Sequence, residues 1–308
     1  SVFHERIEQR VITTTAPVGG PGSNIIATDH RGDMYVDLLR AALRVRGLGA
    51  TVLSGLVGNV DIPKQETSAT AGWVAENSAL NASDLQFDKV SLTPKHAGCI
   101  TEFSRNMLMQ SSPDIEQLIR RDFAAVLARA VDSVAIQGGG SNEPTGVLGT
   151  AGIGSVAMGD NGGALDWDAV QDLIGEVDLD NALMGSLAFL TNTKVRKSGR
   201  KTLKVSGDAG AGFIWEQPNQ LAGYMAAVTN LVPSDLDKGA STGVCSALIF
   251  GNWADLLLGY WSELDILVNP FESTAYSKGN ISIRGMLTMD VDVRHAESFA
   301  AIQDLTTA

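Results

Sequence analysis

The clearest pattern in the chain is a helical one in its middle third. Apolar side chains recur at helical spacing over residues 115–134 and predict one long amphipathic helix. They are Ile115, Leu118, Ile119, Phe123, Val126, Leu127, Ala130 and Val134. Ser112 as N-cap and Pro113 at the first helical position predict its start, and Gly138 predicts its end. Roughly 25 residues at about 1.5 Å each make a rod about 37 Å long.

Residues 58–104 follow a two-residue period and predict a long two-stranded ribbon. NVDIPKQ leads outward, and LQFDKVSLT returns after a turn at residues 81–84, with Phe87 and Lys89 on the face opposite Val90. The ribbon holds few large apolar residues, and a lone two-stranded hairpin is marginally stable in water. Unless it folds back on its own domain, we therefore expect this ribbon to leave its own body and to become ordered against another copy of the chain.

The remaining segments predict an α+β chain. Residues 34–45, MYVDLLRAALRV, predict a short amphipathic helix. Residues 164–204 alternate between helix and strand, and residues 221–232 and 244–251 predict further strands. From Leu264 onward, ILVNPFES, NISIRGMLTMDVDVR and SFAAIQD predict strands of one antiparallel sheet, so that a late stretch completes an early domain.

Composition and charge narrow the class of protein. With 44% apolar and only 19% charged residues, the 308-residue chain is globular, and its low charge predicts that much of its surface meets other protein. The formal net charge of −12 argues against a sequence-specific nucleic-acid binder, and the densest basic run, Lys194–Lys204, predicts a solvated helix end. Cys99 and Cys245 lack CxxC spacing, which predicts free thiols in a reducing compartment.

The irregular N-terminal segment predicts an arm, and the most apolar segment predicts a buried strand. Residues 1–33 mix Gly, Pro and Thr without a lasting period and predict an extended arm. The most apolar window, residues 243–261, is interrupted by Asn252 and Asp255, so it predicts a buried strand followed by a helical turn and not a membrane span. No signal peptide is expected, and because the chain opens on Ser1 we expect a cut or processed protein.

The glycine-rich stretch AIQGGGSNEPTGVLGT, residues 135–150, is a candidate phosphate-binding loop. A phosphate-binding loop requires GxxxxGK[ST] between a strand and a helix. This stretch has no lysine and follows a helix instead of a strand. We interpret it as a helix end stopped by glycines, followed by a turn stiffened by proline.

A second motif, GASTG at residues 239–243, matches the GxSxG pattern of serine hydrolases. Asp265 and His295 follow Ser241 in the chain order of an α/β-hydrolase triad. The nucleophile elbow needs a strand before the motif and a helix after it, whereas here a polar turn precedes and a strand follows. A hydrolase using Ser241, Asp265 and His295 is therefore a remote alternative.

Other candidate chemistry is weak. Asp290 and Asp292 alternate on one predicted strand, where paired carboxylates are more typical of a solvated face than of an acid–base pair or a Mg²⁺ site. The four histidines lie too far apart for a metal signature, and the five tryptophans are scattered, as core or interface anchors are. We expect no catalytic, cofactor-binding or metal site.

The ordered segments together resemble the major capsid proteins of tailed bacteriophages, the HK97-like fold family. The resemblance covers nearly the whole chain and is strongest over residues 68–149. SATAGWVAENSALNASDLQFDKVSLTP is similar to the family's extended loop, in which Trp-Val-Ala-Glu is followed by Phe-x-Lys-Val. The long helix and the turn after it are similar to the spine helix and its Gly-Asn-x-Pro-x-Gly turn, with Ser141 at the first Gly. IRGMLTMDVDVRHAESFAAI is similar to the family's C-terminal strands.

The resemblance implies an α+β, HK97-like capsid fold with an arm, an extended β-ribbon (E-loop), a peripheral domain with a spine helix, and an axial domain. Its parts are the N-terminal arm (1–33), the first part of the peripheral domain (34–57), the extended loop (58–104), the peripheral domain with the spine helix (105–149), the axial domain (150–262), and peripheral-domain C-terminal strands that return toward the axial domain (263–308). The turn after the spine helix becomes the junction of the two domains, through Gly138, Gly139, Gly140, Pro144 and Gly146.

The resemblance also implies the function: a structural protein, not an enzyme, that self-assembles into the pentamers and hexamers of an icosahedral shell around double-stranded phage DNA. The expected contacts between subunits are Trp73, Val74, Glu76, Leu80, Phe87, Lys89, Arg120, Arg121 and Arg284. An encapsulin-like compartment, with the same fold around a cargo enzyme, is the alternative.

Partners and location follow from the same resemblance. We expect a maturation protease that removes an N-terminal scaffold segment, which a chain beginning at Ser1 suits, together with a portal and a cementing or decoration protein. Contact with packaged DNA should be weak and unspecific, with no membrane, in a virion assembled in the host cytoplasm. Some members join subunits through a Lys near the ribbon tip and an Asn of a neighbour. Here the tip is Ser78-Ala79-Leu80-Asn81 and the nearest lysine on the returning strand is Lys89, so we expect no such cross-link.

Overall fold

The computed structural model of the chain describes residues 37–79, 82–110 and 114–307. The strands are β1 (Thr51–Ser54), β2 (Val60–Thr67), β3 (Gln86–Leu92), β4 (Lys95–Phe103), β5 (Gly154–Ser155), β6 (Leu187–Thr191), β7 (Gln220–Leu221), β8 (Tyr224–Val228), β9 (Leu236–Lys238), β10 (Ser241–Asn252), β11 (Leu256–Asn269), β12 (Ile281–Val293) and β13 (Phe299–Thr306). The helices are α1 (Arg105–Gln110), α2 (Ile115–Gln137), α3 (Trp167–Leu179), α4 (Thr193–Gly199) and α5 (Ser273–Tyr276). The expected arm over residues 1–33 lies outside the described residues.

Two sheets organise the body, and a separate hairpin makes the ribbon. The first sheet has four strands in the order β1-β11-β12-β4, antiparallel except for the parallel pair β1 and β11. The second sheet has seven strands, with the order β5-β13-β10-β6-β8-β7 and β9 paired to β10. β2 and β3 pair only with each other. The chain is therefore α+β, as its pattern predicts.

The long helix packs on the first sheet. Phe123 and Leu127 of α2 are buried, and a methyl group added at Gly285 of β12 would lie 3.1 Å from Phe123, so this glycine lets the helix approach the sheet. The 23 residues of α2 span about 35 Å. The Asp114 carboxylate accepts from the Glu116 N–H (3.0 Å), and Asp114 is the N-cap of the described helix. Ser112 and Pro113 lie outside the described residues.

Two shorter helices cover one face of the second sheet. Asp166 caps α3 by accepting from the Ala169 N–H (2.8 Å), and Asn192 caps α4 by accepting from the Val195 N–H (3.0 Å). Their apolar sides share one core with the sheet: Val170, Leu173 and Val177 of α3, Val195 of α4, and Phe189, Phe250 and Ile302 of the strands. The helices are thus fixed by burial, and their remaining faces point to solvent.

The helix predicted over residues 34–45 is wrong for the described part, residues 37–45. These residues run extended along α2: Arg40 pairs with Asp122, and the N–H groups of Arg44 and Val45 donate to Asp132 (2.5 and 3.3 Å). In a helix those N–H groups would bond to the preceding turn. Tertiary hydrogen bonds to α2 replace them, although the amphipathic pattern favours a helix.

Two strands lie elsewhere than the pattern predicts. β4 was assigned to the ribbon over residues 58–104, but it pairs with β12 along its whole length and belongs to the first sheet. SFAAIQD was assigned to the same sheet as the two strands before it, but β13 pairs with β10 in the second sheet. The chain changes sheets at Trp253–Asp255, a helical turn that the sequence does predict. Period-two patterns identify strands but do not choose between two sheets.

The glycine-rich stretch forms a closed turn against the end of α2. The Gly138 N–H donates to Val134 (2.8 Å), and the Gly146 N–H donates back to the Gly138 carbonyl (3.0 Å). The Gly139 N–H donates to the Glu143 carboxylate (2.8 Å), and Gly140 has a φ of +77°. These N–H groups are used within the turn, so they are not arranged to bind phosphate. The turn leads from α2 on the first sheet to β5 of the second, and Pro144 is buried in it.

Candidate assembly surface

The inner part of the ribbon lies against the body, and its outer part does not. Val60 pairs with Leu92 and Thr67 with Gln86 at the two ends of the hairpin. Leu92 is buried, and a methyl group added at Gly259 of β11 would lie 3.3 Å from its Cδ1, so the root packs on the first sheet. Residues 65–79 are all exposed. Beyond its root, the ribbon therefore leaves the body of its own chain.

Large apolar side chains of the ribbon stand in solvent. Trp73 is fully exposed, Phe87 is 70% exposed, and Val74 and Leu85 are about half exposed. Glu76 is exposed beside them. Isolated exposed apolar residues are ordinary, but several on one projecting segment indicate a surface that another protein covers. The expected contact residue Leu80 lies outside the described residues.

Ion pairs hold the two ribbon strands in register. The Lys89 ammonium donates to the Asp61 carboxylate (2.7 Å), and the Ser91 hydroxyl donates to the same group (2.8 Å). These hydrogen bonds, first that from Lys89, lower the pKa of Asp61, and Asp61 raises the pKa of Lys89. Lys64 and Asp88 form a second cross-strand pair (3.7 Å). Lys89 is thus exposed, as the period predicts, and is engaged within its own ribbon.

The outer half of the first sheet has a bare face. Cross-strand neighbours Ile100, Arg284 and Leu267 lie on β4, β12 and β11, and all three are exposed. α2 covers the opposite face of this sheet at Phe123 and Gly285. A sheet with two apolar residues flanking an arginine on an uncovered face is a surface that another chain can occupy.

The remaining expected contact residues lie on α2. Arg120 is half-buried and pairs with Glu116 of its own helix (2.7 Å), as the i,i+4 spacing predicts. Arg121 is exposed on the next position of the helix. The role of these two arginines in assembly stays a prediction.

Sequence reasoning missed an apolar end of the first sheet. α1 has no buried residue, yet it carries Met107, Leu108 and Met109, and Phe271 and Tyr276 are exposed near the start of β12. The segment RNMLMQ contains three apolar residues in six, and no longer helical period continues on either side of it. Such a short apolar segment is the feature that could have indicated a surface contact.

Asp290 lies at the root of the ribbon and corrects a second prediction. It was interpreted as part of a solvated face, but it is buried because residues 93–95, where the ribbon returns to the sheet, cover that side of β12. Its carboxylate accepts from the Thr93 N–H (2.7 Å) and pairs with the Lys95 ammonium (3.1 Å). Asp292 is half-buried, and burial raises its pKa. Asp290 therefore joins the returning end of the ribbon to β12.

We expect Asp290→Asn to lower the free energy of unfolding by about 1–2 kcal/mol, since the amide can still accept from Thr93 but no longer carries a charge opposite Lys95. Urea denaturation of the unassembled chain measures it. Asp61→Asn, which removes an exposed carboxylate from the ribbon, is the matched control and should leave the transition unchanged. Equal midpoints for wild type and Asp290→Asn would contradict the assignment.

The GxSxG motif lies in a hairpin and not in a nucleophile elbow. Lys238 of β9 pairs with Ser241 of β10, and Gly239 between them has a φ of +54°. Asp265 belongs to the first sheet, and His295 is exposed after β12. Within the described ranges, no hydrogen bond joins any two of Ser241, Asp265 and His295, so the geometry does not support a hydrolase.

Two further features bear on the class of protein. Cys99 and Cys245 are free, as their spacing predicts, and burial raises the pKa of both thiols. Over residues 37–79, 82–110 and 114–307, no group of three or more His, Cys, Asp or Glu side chains is placed to hold a metal ion. No helix in this part of the chain has the length and apolar character needed to cross a membrane.

Comparisons with known proteins identify the family of the chain. Residues 22–304 match the phage capsid family. The chain is 30% identical over 280 residues to the major capsid protein of Halomonas phage phiHAP-1, covering 91% of this chain and 43% of that protein. It is 22% identical over 315 residues to the major capsid protein of Klebsiella oxytoca phage phiKO2, covering 94% and 70%. The chain thus spans less than half the length of the Halomonas phage protein.

Solved structures match the fold over almost its full extent. The capsid of a native GTA particle has a TM-score of 0.77 at 21% identity, covering 96% of this chain and 100% of that one. A chain from Gordonia phage Cozz has a TM-score of 0.71 at 15% identity, covering 99% of both. At these identities the likeness concerns the fold.

Proposed function

This chain belongs to the phage capsid family, and from that premise we propose that it is a major capsid protein whose copies build an icosahedral shell. The solved structures it resembles confirm the HK97-like α+β fold expected from the sequence. The observation that carries the proposal is the ribbon, a hairpin with exposed Trp73 and Phe87 that its own chain leaves uncovered. A peripheral domain around α2 and the first sheet, and an axial domain around the second sheet, are part of this proposal.

The ribbon of one copy lies on the bare face of the first sheet of a neighbour. Trp73 and Phe87 would cover Ile100 and Leu267, and Glu76 would meet Arg284. Burying a tryptophan and a phenylalanine removes about 150–250 Å² of exposed surface each, which at about 25 cal/mol per Å² is a strong anchor for one subunit contact. Arg120 and Arg121 would contribute further contacts from α2.

The finer features of the shell rest on the family resemblance. The copies form pentamers and hexamers around double-stranded DNA in a virion assembled in the host cytoplasm. A protease that removes a scaffold segment, a portal and a cementing protein act with them, and contact with DNA is weak because the chain is acidic. No isopeptide bond forms at the ribbon: no lysine lies between Lys64 and Lys89, and Lys89 is paired with Asp61.

The compartment reading, a shell around a cargo enzyme, is not favoured over the phage capsid reading, since both curated relatives above are major capsid proteins. The content of purified particles separates the two. Protected double-stranded DNA supports the phage shell, and a co-purifying enzyme without DNA supports the compartment.

The full chain, expressed with and without a scaffold partner, should form closed particles of uniform size in electron micrographs. The matched control replaces residues 68–85 by Asn-Gly, which joins the paired residues Thr67 and Gln86 through a two-residue turn. This variant should keep its circular dichroism spectrum and stay unassembled. Boiled particles should run as monomers on a denaturing gel. Monodisperse single chains under every condition would refute the proposed function, and a ladder of multimers would refute the absence of a cross-link.

A further inference from the structure

The second sheet carries two helices of opposite charge. Residues 166–180 contain six acidic residues and no basic one: Asp166, Asp168, Asp172, Glu176, Asp178 and Asp180. Residues 181–207 contain six basic residues and no acidic one: Lys194, Arg196, Lys197, Arg200, Lys201 and Lys204. We call the first set, which runs from the N-cap to the C-cap of α3, the acidic face of α3, and the second set, which lies on α4 and on the five residues after it, the basic face of α4. In a chain of net charge −12, such a separation of charge into consecutive blocks is not explained by solubility.

Within the described part of the chain, the charges of these faces are almost entirely unpaired. Among the described residues, Lys204 alone of the twelve forms an ion pair, with Glu216 (3.1 Å). The other five basic side chains and all six acidic ones have no oppositely charged partner within 4.0 Å in this part of the chain. Most of them are exposed. Both helices bury their apolar sides in the same core, so their charged faces open to solvent on the same side of the sheet.

Part of the acidic face destabilises its own helix. Asp178 and Asp180 lie at the C-terminal end of α3, where the last turn holds no basic residue. The negative end of the helix dipole disfavours carboxylates there by about 0.3–1 kcal/mol each. The N-terminal end of α3 lies near the basic residues that follow α4, since the Lys204 ammonium lies 5.3 Å from the centre of the Trp167 ring, yet among the described residues no ion pair joins the two faces. Within residues 37–79, 82–110 and 114–307, no basic side chain lies within ion-pair distance of Asp178 or Asp180.

We infer that the basic face of α4 binds the acidic face of α3 on a second copy of this chain. Such a contact joins two different surfaces, and repeated contacts of this kind form a ring when the rotation from one subunit to the next closes. A second copy fits better than nucleic acid, because a phosphate backbone approaching α4 would also meet the carboxylates of α3 on the same side of the sheet. The inference rests on the proposed function, in which rings of subunits build the shell, and names the charges that orient one subunit against the next.

Charge reversal on each helix and on both together tests the pairing. The first variant is Lys197→Glu, Arg200→Glu and Lys201→Glu on α4; the second is Asp172→Lys, Asp178→Lys and Asp180→Lys on α3. All six side chains are exposed, so each variant should fold. The thermal transition should rise slightly for the α3 variant, which removes carboxylates from the C-terminal end of its helix, and fall slightly for the α4 variant, which introduces them there. Each should need at least about tenfold more protein to assemble, and the combined variant should assemble near the wild-type concentration.

The outcomes separate this inference from the proposed function. A wild-type chain that never assembles refutes the function. If the wild type assembles and either single-helix variant does so equally well, the pairing is wrong. It is also wrong if the combined variant stays folded but unassembled. If the α4 variant assembles normally and its particles lose nuclease-protected DNA, the basic face serves nucleic acid, and the inference is overturned.

Discussion

Trp73→Ala should prevent shell formation at protein concentrations where the wild type assembles. The indole is fully exposed in its own chain, so its removal takes away no contact within the subunit. If it anchors the ribbon on a neighbour, truncation costs about 2 kcal/mol or more at every subunit contact, as for other buried aromatic anchors. That corresponds to a rise of about 30-fold in the concentration needed for each contact. Sedimentation of the assembly mixture measures the assembled fraction.

The controls for Trp73→Ala separate assembly from folding. Its thermal transition as an unassembled chain should match that of the wild type, because nothing in the chain packs on Trp73. Trp73→Phe keeps an aromatic ring and should recover part of the assembly. Normal particles from Trp73→Ala at the wild-type concentration would show that the ribbon does not use this residue to bind a neighbour.

Gly146→Ala should destabilise the folded chain by about 3 kcal/mol. A methyl group there would lie 2.5 Å from the Gly138 nitrogen, 2.5 Å from the Val134 oxygen and 2.6 Å from the Gln137 nitrogen. These are backbone atoms at the end of α2, which cannot rotate away as a side chain can. The turn therefore has to open or the helix end has to unwind, with loss of the hydrogen bond from Gly146 to Gly138.

Gly175→Ala is the matched control for the same substitution. Gly175 lies within α3, and a methyl group added there meets nothing within 4 Å. Alanine in a helix interior is favoured over glycine by about 0.5–1 kcal/mol, so this variant should be slightly more stable than the wild type. Urea denaturation of both variants gives the comparison. A Gly146→Ala chain as stable as the wild type would mean that the turn is not packed as tightly as its backbone distances imply.

The local elements of this protein follow from short-range pattern. The stripe from Ile115 to Val134 predicts α2, because burial of one helix side needs only residues three and four apart. The alternation around Phe87 and Val90 predicts which side of β3 is buried for the same reason. The unsupported ribbon is also predictable, since its two strands hold too little apolar surface to be stable alone. The resemblance to the capsid family adds the architecture around these elements.

The tertiary structure decided which residues far apart in sequence become partners. β4 carries the same period as the ribbon strands, and only its pairing with β12 assigns it to the first sheet. Residues 37–45 have a helical pattern, but Asp132 takes two of their N–H groups from a distance of nearly 90 residues along the chain. Asp290 reads as solvated until residues 93–95 cover it. In each case the deciding partner is far away in sequence, where periodicity carries no information.

The amino-acid sequence alone determined the long helix, the ribbon, the closed glycine turn and the separation of charge between residues 166–180 and 181–207, because each depends on neighbours within one or two turns or along one strand. The tertiary structure decided that Trp73 and the bare face around Arg284 are both uncovered, and that, among the described residues, the charges of the two helix faces form no ion pair apart from that of Lys204 with Glu216. Exposure and pairing are properties of atoms brought together across the whole fold. A surface available to a second copy can therefore be recognised only from the residues that stay exposed in the folded chain.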